Sequence, residues 1–153
     1  MDLKPVIREI ARSDYEGWLP LWLGYNAFYG RHGLTALSPG ITQTTWERFF
    51  DPAEPVHALV AERDGSLVGL VHYLFHRSTI MVTPTCYLQD LFTSAACRGQ
   101  GIGRALIEAV YQRARTAGST RVYWLTHESN QVAQGLYDTL AERSGFIVYR
   151  KSL

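Results

Sequence analysis

The sequence predicts an α/β protein built on a mixed central sheet, antiparallel at its N-terminal side and with a parallel pair at its centre, flanked by about four helices. Three observations carry this. The apolar runs 56–63 and 67–75 flank Asp64-Gly65, a dipeptide that favours a two-residue hairpin turn. Residues 87–93 have the length and apolar content of a buried strand. They lead through Arg98-Gly99-Gln100-Gly101-Ile102-Gly103-Arg104 into a helix whose Ile102, Ala105, Leu106, Ala109, Val110 and Ala114 recur at three and four residues. After a stop at Gly118, residues 121–126 read as a second strand, which the strand–helix–strand crossover sets parallel to the first.

The elements before the hairpin follow from local signals. Residues 6–10 form a short strand, and Ser13 with Glu16 has the spacing of a capping box that opens a helix. That helix carries Tyr15, Trp18, Trp22, Tyr25, Phe28 and Tyr29, and Pro20 in its middle predicts a kink or split. Two uses exist for so many aromatic residues: a core face made by Trp18, Trp22 and Tyr25 at spacings of four and three, and a substrate cleft lined by Tyr25, Phe28 and Tyr29. Residues 30–40 read as a glycine-rich loop. Thr44 and Glu47 repeat the capping-box spacing ahead of a second short helix with Trp46, Phe49 and Phe50, and 51–55 ends it. His72 and His76 share one strand face but have no third ligand type nearby, so no metal site is expected.

With 153 residues the chain reads as a single domain, 1–153, large enough to bury about 68–70% of the surface its unfolded form exposes. Hydrophobic residues at 46% and charged residues at 19% fit a soluble globular protein, and no apolar run reaches the roughly 18 residues of a membrane span. Residues 1–5 lack the basic and apolar regions of an export signal, which predicts a cytoplasmic protein. Cys86 and Cys97 have neither a disulfide framework nor zinc spacing. Cys97 borders the glycine turn, so alkylating it is expected to obstruct a ligand there. A net charge of +1 argues against nucleic-acid binding, the local basicity of Arg98 and Arg104 notwithstanding.

Alternating glycines at a helix start let the backbone approach a ligand closely, with unpaired first-turn N–H groups and the positive dipole end facing it. A phosphate suits that position; a tight turn alone uses glycine too. The dinucleotide fingerprint fails, because Arg104 follows Gly101 by three and Leu106 follows Gly103 by three, with no ribose-binding acid near 121–124. A P-loop is absent, since the only lysines are Lys4 and Lys151.

The stretch resembles the acyl-CoA motif of the GNAT family of N-acetyltransferases, Gln/Arg-x-x-Gly-x-Gly/Ala, met as Arg98-x-x-Gly101-x-Gly103 between a strand and a helix. A second family feature lies downstream, in Asn130-x-x-Ala133-x-x-Leu136-Tyr137 followed by Ser144-Gly145-Phe146. The wording is most similar to the branch that includes histone and polyamine acetyltransferases, and it covers about residues 55–151. The resemblance implies acetyl-CoA as cofactor, its pyrophosphate on the backbone of Arg98, Gly99, Gln100, Gly101, Ile102, Gly103 and Arg104. Its pantetheine arm would pair like an added strand with Leu91, Phe92 and Thr93.

Asn130 alone reads as a helix N-cap, and Tyr137 lies on the stripe Val132, Ala133, Leu136, Tyr137, Leu140. The resemblance adds a pantetheine hydrogen bond for Asn130 and makes Tyr137 the donor of the leaving-group proton. An alkyl amine of pKa about 10.4 is neutral in only roughly one molecule per few thousand at pH 7, so the site also needs desolvation or a base. Asp90, which interrupts an apolar strand, is the first candidate, while Glu62, His127 and Glu128 stay open. Polyamine acetyltransferases of this type often carry a Glu just before that Asp; this chain has Gln89.

The resemblance therefore implies transfer of an acetyl group to a primary amine of a small molecule, a polyamine or amino-acid derivative, by direct attack in a ternary complex. The alternatives are a protein or histone lysine acetyltransferase and a non-catalytic acyl-CoA-binding module. Family members usually follow the Gly-Phe with two strands, whereas residues 146–149 supply one apolar strand. Its open edge predicts a homodimer through this C-terminal strand.

Overall fold

The computed structural model describes residues 4–153; residues 1–3, part of the stretch read above for an export signal, lie outside the described residues. Its sheet has five strands in the order β1 (Val6–Glu9), β2 (Val56–Arg63), β3 (Ser66–His76), β4 (Thr85–Thr93) and β5 (Val122–Tyr123). The first three junctions are antiparallel and β4–β5 is parallel, as the hairpin and the crossover predicted. Asp64 and Gly65 both take positive φ, 53° and 76°, which is what a two-residue turn matching the strands' twist requires.

Helices cover both faces. On one, α1 (Tyr15–Phe28) and α2 (Pro39–Arg48) bring Trp18, Leu21, Trp22, Tyr25 and Trp46 onto Leu70 of β3. On the other, α3 (Ile102–Thr116) packs Ile102, Leu106, Ile107 and Val110 against Leu59, Val71, Tyr73 and Leu88, with Leu136, Tyr137 and Leu140 of α4 (Gln131–Leu140) alongside. Trp18 is wholly buried, so truncation to alanine costs about 3–5 kcal/mol.

Several boundaries differ from the sequence expectation, each for a local reason. Helix α1 runs through Pro20 without a break, because Pro20 lies on the exposed side and removes one N–H while the buried face holds the helix together. Its start is organised by Asp14 rather than Ser13: the Asp14 carboxylate accepts from the Ala11 N–H at 2.7 Å and pairs with Arg8 at 2.7 Å. That guanidinium holds the Asp14 carboxyl below its ordinary range. Helix α2 begins at Pro39, at the first helical position where a missing N–H costs nothing, and not at Thr44. Val132 is exposed and off the half-buried stripe of α4.

Two differences matter more. The strand expected over 121–126 pairs for two residues only, Cys86 opposite Val122 and Tyr87 opposite Tyr123, and then departs from β4. The strand expected over 146–149 is not formed: residues 141–153 have no regular structure, and Phe146, Ile147, Val148 and Tyr149 are exposed.

Candidate functional site

The early end of β5 leaves one edge of β4 open. Leu91, Phe92 and Thr93 pair with Val71, Leu70 and Gly69 of β3 on one side and, among the described residues, with no strand on the other. An extended ligand backbone has donors and acceptors to meet there.

At the end of that edge the glycine turn enters α3. Gly99 and Gly101 have φ of 75° and 81°, in the left-handed region, and Gly101 is the N-cap of α3. The first intrahelical bond is Ala105 N–H to the Gly101 carbonyl at 3.0 Å, so the N–H groups of Ile102, Gly103 and Arg104 have no helical carbonyl to meet. A β-carbon on Gly99 or Gly101 would meet no protein atom within 4 Å; their glycine character serves backbone conformation and open space, not packing. A β-carbon on Gly103 would sit 3.5 Å from Leu136, an ordinary contact.

The flanking side chains are partly engaged. Arg98 donates to the Thr93 carbonyl at 3.3 Å and lies over Phe92, Gln100 accepts from Arg63 at 2.6 Å, and Arg104 donates to Thr139 at 2.8 Å. Cys97 is buried with Arg63 donating to its sulfur at 2.9 Å, so the thiol is not presented to a ligand as its sequence position suggested.

Across the gap stands α4. Asn130 occupies its N-cap, yet its side chain makes no capping bond, leaving the amide for another partner. Thr126, three residues beyond β5, carries a buried hydroxyl with no hydrogen-bond partner, the one such side-chain atom among the described residues. Tyr137 is half-buried, edge-on to Trp124, and burial pushes its phenol up to about 12. An open strand edge, free helix N–H groups and an unpaired amide thus flank the glycine turn and α4. Those groups fit a pantetheine arm and pyrophosphate.

Asp90 lies on the α1 face. In the β3–β4 ladder His72 faces Asp90 and Tyr73 faces Leu88, so Gln89 is an extra residue, a β-bulge. Leu88 packs toward α3, whereas Asp90, two positions on, pairs with His72 beneath α1, although strict alternation would send both to one face. His72 Nδ1 is 2.9 Å from Asp90 Oδ2, and the Trp18 indole N–H donates to His72 Nε2 at 3.0 Å. Nε2 therefore accepts, the ring proton resides on Nδ1, and the neutral imidazole donates to the carboxylate.

Phenols surround this carboxylate. Tyr25 is buried and kept protonated by that burial and by Asp90 beside it. Tyr29 is shifted upward by burial first and by Asp90 next, Tyr87 by burial, then by Tyr123 and then by Asp90, and Tyr29 also reaches Tyr137 electrostatically. The structure so brings Asp90, Tyr25, Tyr29 and Tyr137 into one neighbourhood; Phe28 is exposed and edge-on to Tyr29. A cavity of about 150 Å³ opens beside Asp90, walled by Trp22, Phe49 and His72.

The other acids and bases lie elsewhere. Glu62 is held by Arg8 at 2.7 Å on β2, and His127 and Glu128 are exposed on the loop before α4, His127 bonded to Ser129. Sequence reasoning weighed His72 only as a metal ligand. Its bond to Asp90 depends on the β3–β4 register, which the bulge shifts, so no spacing rule along the chain exposes the pair. Among the described residues no three His, Cys, Asp or Glu side chains converge.

Comparison with known proteins places the chain in a family. The model of the acetyltransferase (GNAT) family matches residues 7–141. The D-amino-acid N-acetyltransferase HPA3 of Saccharomyces cerevisiae is 34% identical over 149 residues, covering 96% of this chain and 90% of that protein. Among solved structures, AAC(6')-Iy in complex with a CoA bisubstrate analogue superposes with a TM-score of 0.83 at 17% identity, over 99% of both chains. The ribosomal-protein-alanine N-acetyltransferase from Brucella melitensis biovar Abortus 2308 does so with 0.79 at 20% identity, over 99% of this chain and 100% of that one. At such identities the likeness is one of fold.

Proposed function

This chain belongs to the GNAT family and is an acetyl-CoA-dependent N-acetyltransferase, and from that premise we propose that it acetylates the primary amine of a small molecule, an amino-acid derivative. The observation that carries the reading is the placement of Asp90, buried on the α1 face with His72 donating to one oxygen and the 150 Å³ cavity at its side.

Acetyl-CoA supplies the activated acetyl group. The backbone of Leu91, Phe92 and Thr93 and the Asn130 amide would hold its pantetheine arm, and the N–H groups of the turn from Arg98 to Arg104 its pyrophosphate. Asp90 takes the proton that keeps an acceptor ammonium from reacting, while His72 fixes the carboxylate and adds no charge of its own. Tyr137 keeps its proton throughout the neutral range. Complete transfer from a phenol at about 12 to a thiolate of ordinary pKa, about 8.5, is uphill by about 4–5 kcal/mol, so its role is to donate a hydrogen bond to the departing sulfur.

Similarity to a D-amino-acid acetyltransferase supports an amino-acid derivative over a polyamine or a histone lysine. Gln89, where polyamine enzymes of this type often carry Glu, points the same way. Two free thiols and no described helix long and apolar enough to cross a membrane are compatible with a cytoplasmic setting, which is part of the proposal. So is a homodimer in which the exposed apolar residues 146–149 pair with a second copy.

The test is thiol release from acetyl-CoA across a panel of amino acids of both hands, polyamines and a lysine peptide. Turnover is expected with amino acids first. Release with the lysine peptide alone would overturn the small-molecule reading, and none with any amine would leave only an acyl-CoA-binding module.

A further inference from the structure

Helix α1 ends in a way that fixes one arginine. Gly30 takes φ of 77° just past the last turn; its N–H donates to the Ala27 carbonyl at 3.0 Å and that of Arg31 to the Asn26 carbonyl at 2.9 Å. This is the paired bonding of a Schellman motif, with Arg31 one residue beyond the glycine. The side chain then folds back over the helix end. Its Nε donates to Asn26 Oδ1 at 2.7 Å, and Asn26 is itself buried, with its amide nitrogen bonded to the Trp22 carbonyl at 2.8 Å.

The guanidinium lies 5.8 Å from the Tyr25 ring centre and 5.4 Å from that of Tyr29. A helix C-terminus favours a cation, which accounts for an arginine near this position but not for its fixed side chain. Among the described residues no carboxylate comes within ion-pair distance of Arg31, whereas Arg8, Arg12, Arg113 and Arg143 each have one. Among the described residues both terminal nitrogens of its planar fork are free of protein acceptors.

We propose that Arg31 is the carboxylate-binding residue of the acceptor site, so that the enzyme selects zwitterionic amino acids by holding the carboxylate at Arg31 and the amine at Asp90. This rests on the acetyltransferase reading above. Tyr25 and Tyr29 lie within electrostatic reach of both charges, raised by Asp90 and lowered by Arg31, so anion and cation border the same two rings. A guanidinium held by Nε presents two parallel N–H groups, the geometry a carboxylate accepts bidentately. The third substituent of the α-carbon enters the cavity of about 150 Å³ beside Asp90, where Trp22, Phe49 and Val56 stand among polar groups including Thr45 and Arg48; the volume suits a single ring, which makes phenylalanine a suitable probe.

The experiment compares phenylalanine, in both hands, with phenylalaninamide, in wild type, Arg31→Gln and Arg31→Lys, with calorimetric binding of N-acetylphenylalanine as a second readout. The amide's amine loses its proton more easily, so a wild-type preference for the acid reports recognition and not intrinsic reactivity. The expected result is a kcat/KM ratio of acid to amide above one that falls at least tenfold in Arg31→Gln, mainly through KM for the acid, and by a smaller factor in Arg31→Lys. N-acetylphenylalanine binding weakens in parallel. Should Arg31→Gln fail to fold, Arg31→Lys carries the comparison alone. Equal use of acid and amide by wild type, or a ratio unmoved in a folded variant, overturns the carboxylate site and leaves the acetyltransferase reading intact. No thiol release with any amine, acid or amide overturns both.

Discussion

The indole N–H of Trp18 reaches from α1 to Nε2 of His72 on β3, 3.0 Å away, and so determines which end of the imidazole carries the proton facing Asp90. Asp90→Asn removes the proton acceptor and should lower kcat by about 10²-fold or more. Trp18→Phe keeps an aromatic ring but frees Nε2 to take a proton. A charged His72 makes the neighbouring carboxylate a weaker base, so kcat should fall in the folded variant. A Trp18→Phe kcat equal to that of wild type would reduce Trp18 to packing.

For Tyr137, replacement by Phe should lower kcat by about 10²-fold with little effect on CoA affinity. Because burial pushes this phenol up to about 12, wild-type activity should show no alkaline limb from its ionisation below about pH 11. An alkaline limb near pH 9 that vanished in Tyr137→Phe would contradict the assignment.

Gly101→Val should weaken CoA binding at least tenfold, about 1.4 kcal/mol, since φ of 81° strains a β-branched residue and its side chain projects into open space at the helix start. Unchanged affinity by calorimetry in the folded variant would remove the phosphate role from this turn.

Stability should fall on the alkaline side. Burial pushes the Cys86 thiol from about 9 up to about 12. Below pH 9 the thiol is protonated whether the chain is folded or not, so it confers no pH dependence. Above that the unfolded thiol ionises while the native one does not, and stability declines toward pH 12. Melting temperature should therefore begin to drop near pH 9, and Cys86→Ala should postpone the onset to the tyrosine range, where Tyr73 behaves likewise. Identical onsets would exclude the thiol as the cause.

Deleting residues 146–153 should convert a dimer to a monomer of under 17.3 kDa in light scattering at tens of micromolar. A full-length monomer, or a dimer unaffected by the deletion, would remove the C-terminal segment from the interface.

The sheet and its crossover were legible because hairpin turn chemistry and helical periodicity are local properties. Strand 56–63 and the turn at Asp64-Gly65 emerged where expected for that reason. The glycine turn was legible as well, since left-handed φ selects glycine residue by residue. What escaped was nonlocal. The partnership of His72 with Asp90 requires a ladder register that one extra residue displaces, and β5 stops after Tyr123 although its apolar pattern continues through Trp124 and Leu125. Arg31 gave no signal by itself, because its position depends on how a helix ends and on an asparagine five residues earlier.

The bulge at Gln89 can also be viewed as spare length. Remove that residue and Leu88 and Asp90 become neighbours, so ordinary alternation alone sends one toward α3 and the other toward α1, where they already point. Every side chain of β4 keeps its surroundings without it. What Gln89 adds is curvature: two residues where the partner strand has one bend β4 away from a straight ladder just before its edge is left unaccompanied. A chain lacking it would retain its interior yet present a straighter strand to β5, so the exposed residue contributes nothing to the hydrophobic interior and sets the bend of the strand whose edge β5 leaves open.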